Sequence, residues 1–382
     1  MSFQKNAGAV RRFAWAMKFA AWLQAIPDKL TPPPFRLMQI GSAFWQSRAL
    51  HVATRLDIAT VLGDGELDAD GIAARIAANP DATGRLLRLL AAMGIFEETA
   101  PLTYRNNRLS ACLRRDNPKN VRAMILMHNA EAMSRPWYER LEDGVRQGVS
   151  PFRLTHGEEL FSYLDRHADL DALFSEAMDC VEALTGDSFA TDFDWGRFER
   201  IIDVGGSRGT KSLAILKRHA KLSALVVDRA QVIADAVRHW AAHGTGGVER
   251  LSFAPGDLLE SIPPARSDKD IYLLSAVLHG FDDDACLAVL RNLASASGGT
   301  GARIALLEMV LPEARADLAG ASFDMQMFMG TRGRERTLTE WKSLFDRSGL
   351  VLEEVAGLRS FGNILVLRPK RPDRQGAIQS FP

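Results

Sequence analysis

The stretch FERIIDVGGSRGTKSLAILKRHAKLSALVVD, residues 198–228, decides the fold of this 382-residue chain. It starts with a short, mostly apolar run at Ile201–Val204, passes through a glycine-rich turn, and returns to helical spacing of its apolar residues from Ser212. A second apolar run follows at Leu225–Val227, and Asp228 closes it. Strand, tight turn, helix and strand in this order predict a βαβ unit of a parallel sheet.

Glycines and acids in this stretch predict a nucleoside site. Gly205, Gly206 and Gly209 allow positive φ and a close approach of the backbone to a ligand, at which the next helix points its free N–H groups. Asp203 ends the first strand, and Asp228 ends the second, where a nucleotide-binding fold places the carboxylate that accepts hydrogen bonds from ribose hydroxyls.

The same turn fits two other interpretations. Gly205–Gly209 also matches G-x-S-x-G, the nucleophile elbow of α/β-hydrolases, with Ser207, Asp257 or Asp270, and His279 as a triad. It could also be a tight turn without a ligand. Three features weigh against the hydrolase: the preceding residues are helical, no oxyanion segment like H-G-G-G is visible, and the acid of the second strand has no role.

Composition and charge set broad limits. The chain is long enough for two or three domains, and 47% apolar and 25% charged residues are typical of globular proteins. Forty-seven basic residues balance 47 acidic ones, which favours neither nucleic acid nor an anionic membrane as a partner. Cys112, Cys180 and Cys286 are widely spaced, which indicates neither a disulfide framework nor a zinc site. With no apolar run of membrane-spanning length and no signal peptide, we expect a cytoplasmic protein.

The N-terminal part predicts a helical arm followed by a winged-helix module. Residues 1–34 carry an amphipathic helix, ended by Pro32–Pro34, which we expect to pack on a partner subunit rather than on a membrane. Residues 35–115 predict three helices and a small hairpin, the winged-helix arrangement. The candidate recognition helix is apolar at Leu86–Met93 and lacks a basic cluster, so we expect dimerisation rather than DNA binding.

The rest of the chain predicts a helical segment and then an α/β domain. Residues 116–195 are helical and rich in methionine and aromatic residues, most of which we expect to be core. Residues 196–370 alternate strands and helices and end in a hairpin, Val351–Val355 and Asn363–Leu367. Residues 371–382 predict a disordered tail.

Polar side chains follow the predicted strands at their carboxyl ends. They are Asp203, Asp228, Asp257, His279 and Glu308. Because ligands bind at the carboxyl edge of a parallel sheet, these residues predict a single site there.

Four motifs in order resemble those of the S-adenosylmethionine-dependent small-molecule O-methyltransferases, which include plant caffeate-type enzymes and bacterial polyketide- and phenazine-tailoring enzymes. They are Asp203-Val204-Gly205-Gly206-Ser207-Arg208-Gly209 against D-V-G-G-G-x-G, Gly256-Asp257-Leu258-Leu259 against G-D-F-F, Leu273-Leu274-Ser275-Ala276-Val277-Leu278-His279 against L-L-(K/S)-x-V-L-H, and Gly333-Arg334-Glu335-Arg336-Thr337 against G-(G/K/R)-E-R-T. The resemblance covers nearly the whole chain. It implies a Rossmann-like class I methyltransferase domain with a mostly parallel sheet and a C-terminal antiparallel hairpin, preceded by an α-helical winged-helix dimerisation domain, in a homodimer that uses S-adenosylmethionine.

The resemblance also implies roles for individual residues. His279 would be the general base that takes the proton from a phenol-like hydroxyl, flanked by Glu308 and Glu335. The cofactor would be bound by Asp203, Gly205, Gly206, Gly209, Asp228, Asp257, Leu258, Ser275 and Phe281. The small aromatic acceptor would be bound by Met127, His128, Met133, Phe174, Met178 and Met327, and no metal is expected.

The chemistry agrees with these residue types. A phenol, with a pKa near ~10, is mostly protonated at neutral pH, so a neutral imidazole within reach supplies the nucleophile. A carboxylate on the other imidazole nitrogen fixes the tautomer. Because Glu308 and His279 follow neighbouring strands, we expect Glu308 to be that carboxylate.

The sequence departs from the family pattern at three places. Gly280-Phe281 stand where the family has Asp-Trp, Ser207 replaces a glycine, and Arg229-Ala230 replace Leu-Pro after Asp228. These departures leave open an N- or C-methyltransferase, or an enzyme that binds the cofactor without methylating, as hydroxylases and pericyclic catalysts of this fold do.

Overall fold

The computed structural model of the chain describes residues 2–370, and for residues 182–185 it describes the backbone alone. The predicted tail at 371–382 lies outside the described residues. The chain divides into two compact units: Met17–Gly186, here the helical unit, and Met1–Ala16 with Asp187–Pro382, here the catalytic unit. Within the described part of the chain, no helix has the length and apolarity needed to cross a bilayer.

Helices dominate the chain up to residue 191. They are α1 (Ala7–Leu30), α2 (Pro33–Arg55), α3 (Ile58–Leu62), α4 (Ala69–Arg75), α5 (Pro80–Ala92), α6 (Arg122–Asn129), α7 (Glu131–Glu139), α8 (Leu141–Gln147), α9 (Pro151–His156), α10 (Leu160–Arg166), α11 (Ala168–Thr185) and α12 (Ser188–Thr191). Three short strands lie among them: β1 (Glu66–Asp68), β2 (Phe96–Ala100) and β3 (Thr103–Asn106).

The winged-helix module has a three-stranded antiparallel sheet in the order β1-β3-β2, where the sequence predicted only a small hairpin. β1 has three residues, too few for an alternating pattern to reveal it. In α5, Leu87 and Leu90 are fully buried and pack in one core with Ile72 of α4. The apolar face of this helix is therefore used for packing within the module.

The N-terminal segment differs in part from the predicted arm. Phe3 is buried and stacks on Phe193 at 5.6 Å, and the side chain of Gln4 exchanges two hydrogen bonds with the main chain of Gly357, so the first residues belong to the core of the catalytic unit. α1 extends to Leu30, and α2 begins at Pro33, where proline at the first helical position loses no hydrogen bond. Large apolar side chains on α1 and α2 remain exposed: Trp15, Phe19, Trp22, Phe35, Met38 and Phe44.

The catalytic unit alternates strands and helices as predicted. Its further elements are β4 (Arg200–Val204), α13 (Thr210–Arg218), β5 (Ser223–Asp228), α14 (Ala230–Ala242), β6 (Leu251–Pro255), β7 (Asp270–Ser275), α15 (Asp283–Ala296), β8 (Arg303–Glu308), β9 (Val310–Leu311), α16 (Leu318–Gly330), β10 (Arg336–Thr337), α17 (Leu338–Arg347), β11 (Leu350–Gly357) and β12 (Asn363–Pro369).

Seven strands form the main sheet in the order β11-β12-β8-β7-β4-β5-β6. The five from β8 to β6 are parallel, and the β11–β12 hairpin adds antiparallel at the β8 edge. The predicted fold class is thus confirmed. The chain turns from β4 to β5 on one side and reaches β7 on the other, and ligands bind at such a switch point in open α/β sheets. The loops after β4 and β7 meet there.

Candidate active site

The turn after β4 is packed so closely that none of its three glycines has room for a side chain. Gly205 and Gly209 have φ of +73° and +74°, which favours glycine. A Cβ on Gly205 would lie 2.9 Å from Val277 Cγ2, and one on Gly209 would lie 2.7 Å from Val226 Cγ2. Val277 belongs to the turn that carries His279, so the structure places these two turns in contact.

Asp203 supports the glycine turn from inside the fold. Its carboxylate is buried and accepts a hydrogen bond from Ser212 Oγ at 2.7 Å. A Cβ on Gly206 would lie 2.5 Å from the carboxyl carbon of Asp203, so the turn passes directly over this side chain. These contacts indicate that Asp203 holds the glycine turn in its conformation.

Asp228 lies beside the same turn at the end of β5. Its Oδ2 accepts from the amide of Ser207 at 2.9 Å and its Oδ1 from the amide of Arg229 at 2.7 Å. Ser207, which replaces the family's glycine, has φ of +51°, a conformation that costs a residue with a side chain more than glycine. Ser207 therefore adopts the left-handed conformation that favours glycine at this position.

Asp257 and Leu258 follow the neighbouring strand, β6. The amide of Gly256 donates to the carbonyl of Asp228 at 2.9 Å, which joins the ends of β5 and β6. Asp257 is exposed and caps the amide of Leu259 at 2.8 Å, whereas Leu258 packs against the core. The carboxylates predicted for the cofactor therefore stand along one edge of the sheet.

Ser275 is the last residue of β7, and Phe281 lies in the loop between β7 and α15. The Oγ of Ser275 is buried and has no hydrogen-bond partner among the described residues. A buried hydroxyl without a partner is costly, which marks this strand end as a place for a polar ligand. Phe281 is half-buried and packs against the core cluster of the catalytic unit.

His279 lies between two buried carboxylates. Its Nδ1 is 2.8 Å from Oε1 of Glu335 and 4.0 Å from Oε2 of Glu308. The expectation that Glu308 binds the imidazole is therefore wrong in detail, because Glu335 makes that hydrogen bond. The reason is the short parallel pairing of β10 with β9, which brings the residue before Arg336 next to the end of β8.

Glu308 instead binds the main chain of the turn that carries His279. Its Oε1 accepts from the amides of Val277 at 3.1 Å and Leu278 at 2.9 Å. Its Oε2 has no hydrogen-bond partner among the described residues. Burial raises the pKa of Glu308.

The two carboxylates also set the charge state of His279. Burial by itself lowers the pKa of His279, but the hydrogen bond to Glu335 and the charges of both carboxylates outweigh it, so this pKa lies above its ordinary value. The three side chains also offer ligand atoms within 4.8 Å of one another, close enough to share a small cation. The absence of a metal stays a prediction.

Two residues near His279 were missed from the sequence. The ring of Phe323 lies 5.8 Å from the imidazole, centroid to centroid. Asp324 accepts a hydrogen bond from the amide of Glu335 at 2.8 Å. Both lie on α16 with Met327, and Phe323 precedes Met327 by one helical turn, a spacing that could have revealed it.

The other residues predicted for the acceptor lie in the helical unit. Met127 and His128 are on α6, Met133 is on α7, and Phe174 and Met178 are one turn apart on α11. α6 packs against α11. The side chains of Met127 and Met133 are buried, those of Phe174 and Met178 are half-buried, and that of His128 is exposed.

The hydrolase triad is not assembled around Asp270. This residue begins β7 and pairs with Arg200 at 3.1 Å, whereas His279 follows the other end of the same strand. The distance along a six-residue strand is about 20 Å, far beyond hydrogen-bond reach.

Comparisons with known proteins agree with the motifs. The family model described as the O-methyltransferase domain matches residues 137–351, and the model of the O-methyltransferase dimerisation domain matches residues 38–116. The first match alone covers more than half of the chain and includes the glycine turn, His279 and both carboxylates.

Three relatives illustrate the range of activities. A phenazine O-methyltransferase from Lysobacter antibioticus is 31% identical, over 87% of this chain and 95% of the relative. A phenazine-1-carboxylate N-methyltransferase from Pseudomonas aeruginosa is also 31% identical, over 84% and 93%. A solved O-methyltransferase of neocarzinostatin biosynthesis, in complex with S-adenosylmethionine and 2-hydroxy-5-methyl naphthoic acid, has a TM-score of 0.71 and 28% identity, over 85% of this chain and 96% of that one. With two family models matched in order and relatives aligned along nearly their whole length, the chain belongs to the O-methyltransferase family.

Proposed function

We propose that this protein transfers a methyl group from S-adenosylmethionine to a hydroxyl of an aromatic or polyketide-like small molecule, with His279 as the general base. The observation that carries the proposal is the hydrogen bond between His279 and Glu335, in a loop that contacts the glycine turn. The naphthoic acid bound by a solved relative supports the acceptor class. The match of residues 38–116 to a dimerisation domain supports a homodimer.

The turn at residues 205–209 fits S-adenosylmethionine, because its glycines leave uncovered backbone where side chains have no room. Gly205, Gly206 and Gly209 would border the methionine part, and Asp228 would accept from the ribose hydroxyls. The other residues expected at the cofactor are Asp257, Leu258, Ser275 and Phe281, with Asp203 supporting the turn. When bound, the cofactor supplies a methyl group on positively charged sulfur.

His279 would accept the proton of the acceptor hydroxyl at Nε2. In the neutral ring the hydrogen bond to Glu335 places the proton on Nδ1, which leaves Nε2 free to act as a base. As the ring becomes charged, the buried carboxylates of Glu335 and Glu308 stabilise it. A positioned base of this kind contributes about a hundredfold to ten-thousandfold in rate.

The remaining task of the chain is to hold the acceptor and exclude water. Phe323 on α16 offers apolar surface beside His279, and Met327 lies one turn further along the same helix. Contacts with the acceptor are also proposed for Met127, His128, Met133, Phe174 and Met178. Alignment of the reacting groups contributes up to about 7 to 11 kcal/mol. Apolar, adaptable methionines suit a flat hydrophobic acceptor.

A second candidate is methylation of nitrogen, which the N-methyltransferase relative favours. A ring nitrogen that carries no proton needs no base, so the two candidates differ in their dependence on His279. His279→Ala would disable transfer to a phenol and leave transfer to such a nitrogen largely intact.

The test measures binding of S-adenosylmethionine by calorimetry and then transfer of a labelled methyl group to a panel of phenols and of heteroaromatic compounds whose ring nitrogen carries no proton. Wild type, His279→Ala and His243→Ala are compared, since His243 is an exposed histidine of the same unit. We expect His279→Ala alone to lose transfer to phenols. Binding without transfer to any acceptor would favour a non-methylating enzyme, and no binding would contradict the proposal.

Varying the pKa of the acceptor phenol gives a second test of whether His279 is the base. A phenol with a pKa well below ~7 is already ionised at neutral pH and needs no base. If His279 is the base, the loss in His279→Ala shrinks as the acceptor becomes more acidic. An equal loss for acidic and ordinary phenols would assign His279 a role in binding instead.

A further inference from the structure

In the turn that carries His279, two side chains form hydrogen bonds with the main chain: one binds amides and the other binds carbonyls. Glu308 accepts from two successive amides, the second being that of Leu278 at 2.9 Å. Arg336 donates from Nη1 to the carbonyl of Leu278 at 3.3 Å and from Nη2 to the carbonyl of Phe281 at 2.9 Å. These carbonyls stand on either side of His279, so the guanidinium spans the residue.

Arg336 is itself held in one position. It is 1% exposed, its Nε and Nη2 donate to Oδ1 of Asp283 at 3.0 and 2.8 Å, and it lies over the ring of Trp341 at 5.1 Å. A buried cation is costly unless it is paired and hydrogen-bonded. The planar fork of arginine spreads its donors over three nitrogens and reaches acceptors that lie apart, whereas lysine has its three donors on a single nitrogen.

The segment that holds Arg336 lies directly against the His279 turn. A Cβ on Gly333 would lie 1.9 Å from the carbonyl oxygen of His279 and 2.5 Å from the carbonyl carbon of Gly280. Glu335 binds the side chain of His279, and the next residue binds the main chain on both sides of it. Two adjacent residues thus fix the imidazole and the backbone that carries it.

We propose that Arg336 is a positioning residue, which sets the place of His279 through its hydrogen bonds to the carbonyls of Leu278 and Phe281. The inference rests on the proposed function, in which His279 is the base. It assigns a role in the reaction to a side chain for which the geometry shows no contact with the imidazole, only with the main chain around it.

The charged groups that face the imidazole are Glu308 from β8 and Glu335 and Arg336 from the segment at β10. Burial and the charge of Arg336 lower the pKa of His279, whereas the hydrogen bond to Glu335 and both carboxylates raise it. Without the arginine charge, this pKa rises further. Because His279 must be neutral to act as a base, the acid limb of the pH profile then moves to higher pH.

A substitution of Asp283 is expected to shift the pKa of His279 in the opposite direction. Its carboxylate pairs with the arginine, so Asp283→Asn leaves the arginine charge less balanced and lowers the pKa of His279. The acid limb of the pH profile then moves to lower pH. A residue that only stabilised the fold would not move the limb in opposite directions in the two variants.

The experiment compares Arg336→Met, Arg336→Lys and Asp283→Asn with the control Arg334→Met, which removes a more exposed arginine paired with Glu340 in the same segment. We measure kcat, KM, the pH profile and cofactor affinity. For Arg336→Met we expect about a hundredfold loss in kcat, the effect of misplacing a catalytic group by about 1 Å, with KM and cofactor affinity within a few-fold of wild type. Arg336→Lys keeps the charge but stays slow.

Arg336→Met removes a buried, charged side chain, which puts its folding at risk. It is therefore accompanied by Asp283→Asn, where the native side chain is half-exposed, and by an NMR titration of the His279 ring. A folded Arg336→Met with kcat like that of the control, or an unchanged His279 titration in Asp283→Asn, overturns the proposal. If wild type methylates nothing, the proposed function fails, while the ring titration still decides whether Arg336 acts on His279.

Discussion

Nδ1 of His279 lies 2.8 Å from Oε1 of Glu335, a residue 56 positions later in the chain. The nearer carboxylate in sequence, Glu308, is 4.0 Å away and binds the amides of Val277 and Leu278. The two glutamates therefore have different tasks. Glu335 orients the imidazole, and Glu308 fixes the turn that carries it.

We expect Glu335→Gln to move the acid limb of the pH–kcat profile to lower pH. The charged hydrogen bond of Glu335 raises the pKa of His279, so its loss lowers that pKa and leaves the ring neutral at lower pH. The plateau should fall about tenfold or more, because a weaker base transfers protons less well. A limb that stays in place or moves to higher pH would contradict the assignment.

We expect Gly209→Ala to lose affinity for S-adenosylmethionine. Its Cβ would meet Val226 Cγ2 at 2.7 Å, and its φ is +74°. Gly349→Ala is the matched control, because Gly349 has φ of +76° and open space around it. Both variants should lose about 1 kcal/mol or more of unfolding free energy from the left-handed conformation. Only Gly209→Ala should weaken binding in calorimetry, and equal affinities would remove the turn from the cofactor site.

We expect Phe323→Ala to raise KM for the aromatic acceptor several-fold while cofactor affinity stays unchanged. The ring lies beside His279, and loss of an aromatic contact costs about 1 kcal/mol beyond the lost area. Met325→Ala, at an exposed position of the same helix, serves as control. If both variants have the KM of wild type, the acceptor does not use this face of α16.

We expect prolonged dialysis against EDTA to leave kcat and KM unchanged. His279, Glu308 and Glu335 could share a cation by distance, but the proposed mechanism uses Glu335 as the hydrogen-bond partner of His279. Loss of activity that returns with an added divalent cation would replace the proposed base by a metal site. Measuring the metal content of the purified protein before dialysis provides the control.

The sequence by itself determined the elements and the edge of the sheet that carries the site. β4 was predicted at Ile201–Val204 and is observed at Arg200–Val204, because a short, mostly apolar run is what a parallel strand buried on both faces requires. The order of strand, glycine turn, helix and acid placed Asp228 at the ligand edge. These features depend on contacts between neighbours in the chain, which local patterns encode.

Only the tertiary structure decided which of the two glutamates binds the imidazole, and that Arg336 and Phe323 lie close to His279. Glu335, Arg336 and Phe323 come from segments far along the chain, and their positions depend on the pairing of β10 with β9 and on the packing of α16. Arg336 looked like any charged residue in a polar run, yet it is fully buried and binds two carbonyls. Contacts of this kind follow from how distant segments pack, and no spacing within a single segment records them.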